Sequence, residues 1–383
     1  MPPTLTADSS RIFYIDSLRA FAMLYGIFNH SINIWLSLPG EGPIVVSAFN
    51  TIFRLPTFFY ISGFFTAMAF FKMSNAEYFR TRLEVILLPL IFCLIVLAPV
   101  TNWLIFRFHN GPIGLDAYLF HSGWRLPSAG ENIWHLHFWF LFTLFVFALI
   151  APPFLRLCRS GVAARAVARF GASLGRFALW GIVVLFSALE VVLAGAHKLL
   201  VEPLVAGTPF AWLVRSVFMY LPCFLIGALC FVHRGLFEAM HRISLPGLLI
   251  FGTLYYSMRA LKSDLPFALW GILHQFGRLG LLLFTVAALL WLFRRFVSGT
   301  SSLSQTLTAS AYSFYLIHYT VIYAIANAMR PFTENGWIIY TVILVLGTPL
   351  CVLFHTRIVA PSPLLRYLLN GRRPIAPKSA TAG

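Results

Sequence analysis

The chain has 383 residues, of which 59% are hydrophobic and only 10% charged. A soluble domain carries about 25% charged and about 45–50% apolar residues, so this balance excludes an ordinary soluble globule and predicts an all-α, polytopic membrane protein. A net charge of +16 would suggest nucleic acid in a soluble chain. In a membrane chain basic residues hold cytoplasmic loops against anionic lipid, so lipid is the expected partner and nucleic acid is not.

The opening "MPPTLTADSS" has no basic stretch before an apolar core, and no removable signal peptide is expected. A membrane span needs about 20 mostly apolar residues. Ten stretches qualify, at roughly 13–36, 48–71, 84–106, 133–151, 178–197, 211–232, 243–259, 268–293, 311–329 and 337–359. With the N-terminus in the cytoplasm, eighteen Lys and Arg fall on the inner side against seven outside, Arg19, Arg54 and Arg278 lying within spans. That asymmetry predicts ten transmembrane helices with both termini cytoplasmic. Residues 1–370 read as one transmembrane domain, and the basic, Pro-rich 371–383 as a disordered cytoplasmic tail. Cys93, Cys158, Cys223, Cys230 and Cys351 show no paired spacing, so neither disulfides nor a metal site is expected.

The first span, "FYIDSLRAFAMLYGIFNH", carries Asp16, Arg19 and His30. A helix turns 100° and rises 1.5 Å per residue, so Arg19 and His30 share a face about 16 Å apart, and Asp16 lies one turn before Arg19, within reach of it. Ionisable groups in a span face a bundle interior or a water-filled path; an interfacial ion pair beside a packed histidine is the equally weighted alternative. Downstream, "FFYISGFF" places Ser62 and Gly63 in the second span, where small residues permit close helix packing or line a pore. The outer stretch 107–132, rich in Gly, Pro, His and Trp, reads as a connector or a sugar-binding mouth. "HLHFWF" offers His135 and His137, whose i,i+2 spacing points them to different helical faces. Glu190 and Arg278 lie in the fifth and eighth spans as a candidate buried ion pair, and "YSFYLIHY" sets Tyr315 and His318 one turn apart in the ninth. These residues alone leave a membrane enzyme and a proton-coupled transporter of a small anion or sugar both open.

Four segments in order give a further indication. "YIDSLRAFAMLYGIFNH", "FFYISGFF", "YFRTRLEVILLP" and "SFYLIHY" resemble the R-x10-H first span, the SGF segment, the basic RxxR segment and the late Tyr-x-x-His helix of the acyltransferase-3 family of membrane acyltransferases. The likeness covers nearly the whole chain and is greatest to the branch associated with succinylation of osmoregulated periplasmic glucans. Two departures stand out: Val85 occupies the second Arg of RxxR, leaving Arg82 with Arg80 nearby, and Tyr319 and Thr320 follow His318 where a Pro is usual.

The resemblance implies a multi-pass enzyme of the bacterial inner membrane. It would move an acyl group, succinyl above all, from cytoplasmic acyl-coenzyme A to a hydroxyl of a periplasmic glucan or other glycan, with no permanently bound cofactor. In that scheme His30 is the general base, since neutral imidazole accepts a proton near neutral pH. Arg19, held by Asp16, steadies the donor. Arg80 and Arg82 attract its phosphates, Arg54 or Arg278 faces a succinyl carboxylate, and Ser62, Gly63, Tyr315 and His318 complete the substrate path.

Overall fold

The computed structural model describes residues 13–38, 44–120, 134–297 and 301–371. Residues 121–132 of the outer stretch and the tail beyond Gly371 lie outside them. Among the described residues there are helices and turns but no strands. The elements are α1 (Phe13–Leu36), α2 (Ile44–Lys72), α3 (Asn75–Asn110), α4 (Leu115–Phe120), α5 (Leu136–Arg159), α6 (Gly161–Leu174) and α7 (Gly175–Val205). They continue with α8 (Ala211–Val232), α9 (Arg234–Ala239), α10 (Leu245–Ala260), α11 (Phe267–Phe296), α12 (Ser302–Met329), α13 (Gly336–Val359) and α14 (Pro363–Asn370).

A helix stands at each of the ten expected positions. Seven of them, α2, α3, α5, α7, α8, α11 and α13, are long and apolar enough to cross a bilayer. The other three differ for visible reasons: α1 carries Asp16, Arg19, Asn29, His30 and Asn33, α10 has only 16 residues, and α12 is rich in Ser, Thr and other polar groups. Only 28% of the apolar window of α3, and the same share of α13, is buried against protein. The remainder, with side chains such as Ile95 and Val345, is apolar surface suited to lipid. The chain is an all-α polytopic membrane protein.

Two compact units are drawn from interleaved stretches. The first comprises Met1–Tyr25, Pro43–Ser74 and Val146–Thr308; the second comprises Gly26–Gly42, Asn75–Phe145 and Ala309–Gly383.

In the first unit α2 and α8 approach at their backbones. A Cβ on Gly63 would collide with the carbonyl of Phe224, and one on Gly227 with the carbonyl of Tyr60, so each glycine admits the facing chain. Buried rings fill the space around this crossing, Phe59 stacking on Tyr220 at 4.6 Å and Phe147 against Phe224 at 4.8 Å. The candidate ion pair is formed: Arg278 of α11 donates to Glu190 of α7, both side chains buried. Its partner commits Arg278; Arg54 is also buried.

In the second unit polar contacts join helices where few water molecules would compete. Thr101 and Thr320 share a hydrogen bond of 2.7 Å between α3 and α12, and the Asn327 amide donates to the Leu104 carbonyl at 2.9 Å. The Tyr312 hydroxyl donates to the Val85 carbonyl at 2.8 Å. Val85 sits in a wide π-type turn, Leu83–Leu87, a geometry that frees backbone acceptors from the regular ladder. The residue replacing the second arginine of RxxR therefore serves through its backbone. At the far end of α1, Trp35 packs on Trp337 at 4.3 Å, at the start of α13.

Candidate active site

The second unit gathers three imidazoles from three distant parts of the sequence. His30 comes from α1, His137 from the start of α5 and His318 from α12. Ring centroids lie 5.2 Å apart for His30 and His318, 4.8 Å for His137 and His318, and 6.5 Å for His30 and His137. Tyr319 closes the group, edge-on to His30 at 4.7 Å and stacked on His137 at 5.1 Å. His137 and His318 are buried, while His30 is half-buried and the most accessible of the three.

One backbone carbonyl orients two of the rings. The Tyr315 oxygen lies 2.7 Å from His318 Nδ1 and 3.0 Å from His137 Nε2. A carbonyl only accepts, so both nitrogens are assigned a proton, which gives the neutral rings their lone pairs at His318 Nε2 and His137 Nδ1. The Tyr315 hydroxyl in turn donates to the His137 carbonyl at 2.7 Å, so Tyr315 braces the cluster through both its backbone and its side chain.

His137 and Tyr319 were not among the expected site residues. The helical rule that separated His135 from His137 does not hold here, because Leu136 adopts φ +46° and Leu136–Phe138 form a 3₁₀ turn. A left-handed leucine is costly and persists where surrounding structure demands it, often at functional sites. His135 donates from Nδ1 to the Leu136 carbonyl at 2.9 Å. Tyr319 accepts a hydrogen bond from Asn33 Nδ2 at 3.3 Å, and Asn33 lies one turn beyond His30. The polar stripe of α1 and the single His318-Tyr319 pair on α12 are the sequence signals that point to this pairing.

The remaining site residues fall elsewhere. Asp16 and Arg19 belong to the first unit and form the expected ion pair at 3.1 Å, with the guanidinium over the Phe65 ring at 5.5 Å. Gly63 is fixed by helix packing, with Ser62 beside it. Arg80 is exposed, whereas Arg82 is half-buried with its guanidinium 5.1 Å from the Tyr78 ring centre. Among the described residues no three His, Cys, Asp or Glu side chains are arranged to hold a metal ion. The imidazole cluster is suited to moving protons.

A bundle of membrane helices holding an accessible histidine against two orientated ones defines a polytopic membrane protein equipped for acid–base chemistry. The acyltransferase domain of the acyltransferase-3 family matches residues 12–356. The chain belongs to that family and is an acyl-transferring enzyme, which removes the transporter alternative. It is similar to glucans biosynthesis protein C of Escherichia coli O139:H28 (strain E24377A / ETEC), at 23% identity over 95% of each chain. It is also similar to the protein of that name from Escherichia coli (strain K12), at 22% identity over 95% of each. No solved structure matches the chain.

Proposed function

We propose that the enzyme transfers a succinyl group from cytoplasmic succinyl-coenzyme A to a hydroxyl of a periplasmic glucan at the bacterial inner membrane. The observation that carries this reading is the placement of half-buried His30 against His318 and Tyr319, beside a ring pair whose tautomers one carbonyl fixes. The names of the similar proteins support a glucan as acceptor.

In this reaction the acceptor oxygen attacks the thioester carbonyl while His30 takes its proton. The new carbon–oxygen bond forms, the carbon–sulfur bond breaks, and the departing thiolate recovers the proton from the imidazolium. His318 and His137 position the accessible ring and keep polar company around it. Arg80 and Arg82 receive the phosphates of the donor, Arg19 steadies it with Asp16 as its partner, and Arg54 faces the succinyl carboxylate. With ten spans and both ends in the cytoplasm, as the basic loops suggest, the donor would be met on one side of the membrane and the acceptor on the other.

The test uses purified full-length protein, radiolabelled succinyl-coenzyme A and periplasmic glucan. Wild type should label the glucan, and His30→Ala should lose about 10²–10⁴-fold in rate while purifying normally. Wild-type turnover by His30→Ala would overturn the assignment of the base, and labelling of lipid alone would overturn the glycan acceptor.

A further inference from the structure

The first unit contains a cavity of about 580 Å³ bounded by the ends of α7, α8 and α11, well within the about 300–1,000 Å³ typical of small-molecule sites. It shares no lining residue with the histidine cluster. Glu190 lines it from about four turns inside the end of α7 and Gln275 from about two turns inside the start of α11, and Arg278 ties them together: it donates to Glu190 Oε1 and, from Nε, to Gln275 Oε1 at 2.9 Å.

That arrangement leaves two complementary groups. Glu190 is 2% exposed and its second oxygen, Oε2, has no hydrogen-bond partner among the described residues. The Gln275 carbonyl is occupied by Arg278, so its amide nitrogen is the half of the side chain available to a ligand. An orphaned buried acceptor is costly unless something fills it. The walls are aromatic. Trp270 is pinned by its Nε1, which donates to the Met258 carbonyl at 2.6 Å, and it stacks on His274 at 4.9 Å; Phe218 lies on another side.

Charge selects among ligands. At the mouth Lys198 and Glu202 neutralise each other at 2.9 Å while Arg215 adds one cation, and at the floor Arg278 neutralises Glu190 from behind. An anion entering fully would meet the carboxylate of Glu190. A neutral alcohol instead donates its hydroxyl proton to Glu190 and accepts from Gln275, while its C–H face lies on an aromatic wall. The geometry points to a docking site for a neutral glycosyl residue, held by Glu190 and Gln275 and flanked by Trp270 and Phe218, separate from the reactive histidines. It rests on the glycan-acceptor reading for what carries that sugar: a polymeric acceptor would be anchored here by one residue while another is acylated.

The experiment measures binding of cellotriose and gentiotriose to the purified full-length protein by calorimetry, alongside glucan acylation kinetics. Wild type and His30→Gln should bind the sugar equally. Gln275→Leu should weaken binding about tenfold and raise KM for glucan without changing kcat. Phe218→Ala, which leaves the polar floor intact, should also weaken it and guards against a folding defect in Gln275→Leu. No binding by wild type, or binding unchanged in both pocket variants, overturns the proposal, as does binding lost in His30→Gln but kept in Gln275→Leu. Sugar binding that depends on Gln275 in an enzyme that acylates no glycan upholds the pocket and removes the acceptor reading. Glucan acylation with an unchanged KM in Gln275→Leu does the reverse.

Discussion

Replacing Gly63 by alanine tests whether the second-span glycine serves the helix crossing or the substrate. The added Cβ would lie 2.9 Å from the carbonyl carbon of Phe224, with the oxygen closer still. Ordinary contact begins at 3.4 Å, so α2 and α8 must part by at least about half an ångström. Both obstructing atoms are backbone, and no rotamer change relieves them. Overpacking of this kind costs roughly 1–3 kcal/mol, and the absence of a flexible neighbour puts Gly63→Ala near 3 kcal/mol. Gly227→Ala makes the reciprocal collision at Tyr60 and should cost about the same. Once the helices have parted for one methyl the second enters more easily, so the double variant should cost clearly less than the roughly 6 kcal/mol of independent sites. Unfolding by denaturing detergent titrated into mixed micelles measures all three. Gly63→Ala with wild-type stability but lost acyl transfer would refute the packing argument and return Gly63 to the substrate path.

Other consequences are equally direct. If, as proposed, His318 orients the site while His30 takes the proton, His318→Gln should retain more acyl transfer than His30→Gln; equal losses in single-turnover rates would make the two rings joint actors. Tyr315→Phe removes the hydroxyl's bond to the His137 carbonyl and should cost about 1 kcal/mol of stability together with a lower kcat; no change in either would discard the bracing role. Arg80 is exposed, so Arg80→Ala should leave the melting temperature alone yet raise KM for succinyl-coenzyme A, with the effect shrinking at high salt; an unchanged KM would limit Arg80 to setting topology. Glu238 of α9 accepts from Arg294 at 2.7 Å, and that bond holds its carboxyl below the ordinary value. The stabilisation is therefore present above the unfolded carboxylate pKa and lost as pH falls through the lower folded value. The pair is exposed and the effect small, so Glu238→Gln should slightly flatten the acid limb of a stability–pH curve, and an identical limb would show that solvent screens the pair fully.

The helix positions were legible because a bilayer imposes a length and a polarity that a reader can count. The Asp16–Arg19 pair was legible for a similar reason: both residues lie on one helix, where spacing fixes distance. The Glu190–Arg278 pair was readable only as a possibility, since its partners are 88 residues apart and nothing local brings them together. His137 was missed because helical geometry was applied to a segment that Leu136 takes out of the helix. Gly227, the counterpart of Gly63, sits in the unremarkable run "FLIGALC"; its importance arises only when a second chain segment faces it.

The interleaving of the two units sets an order on how the enzyme comes to exist. His30 is made early, His137 about a hundred residues later, and His318 close to the end of the chain. At about 5–20 residues per second, His30 waits on the order of 15–60 seconds in the membrane before α12 supplies the carbonyl of Tyr315 and the third ring. Until then the ribosome-bound chain can complete most of the first unit but lacks the assembled histidine cluster. On the proposed assignment of the histidine cluster, a nascent or prematurely terminated product that stops before Ala309 would be a membrane protein without acyl transfer, unable to acylate anything while still being synthesised.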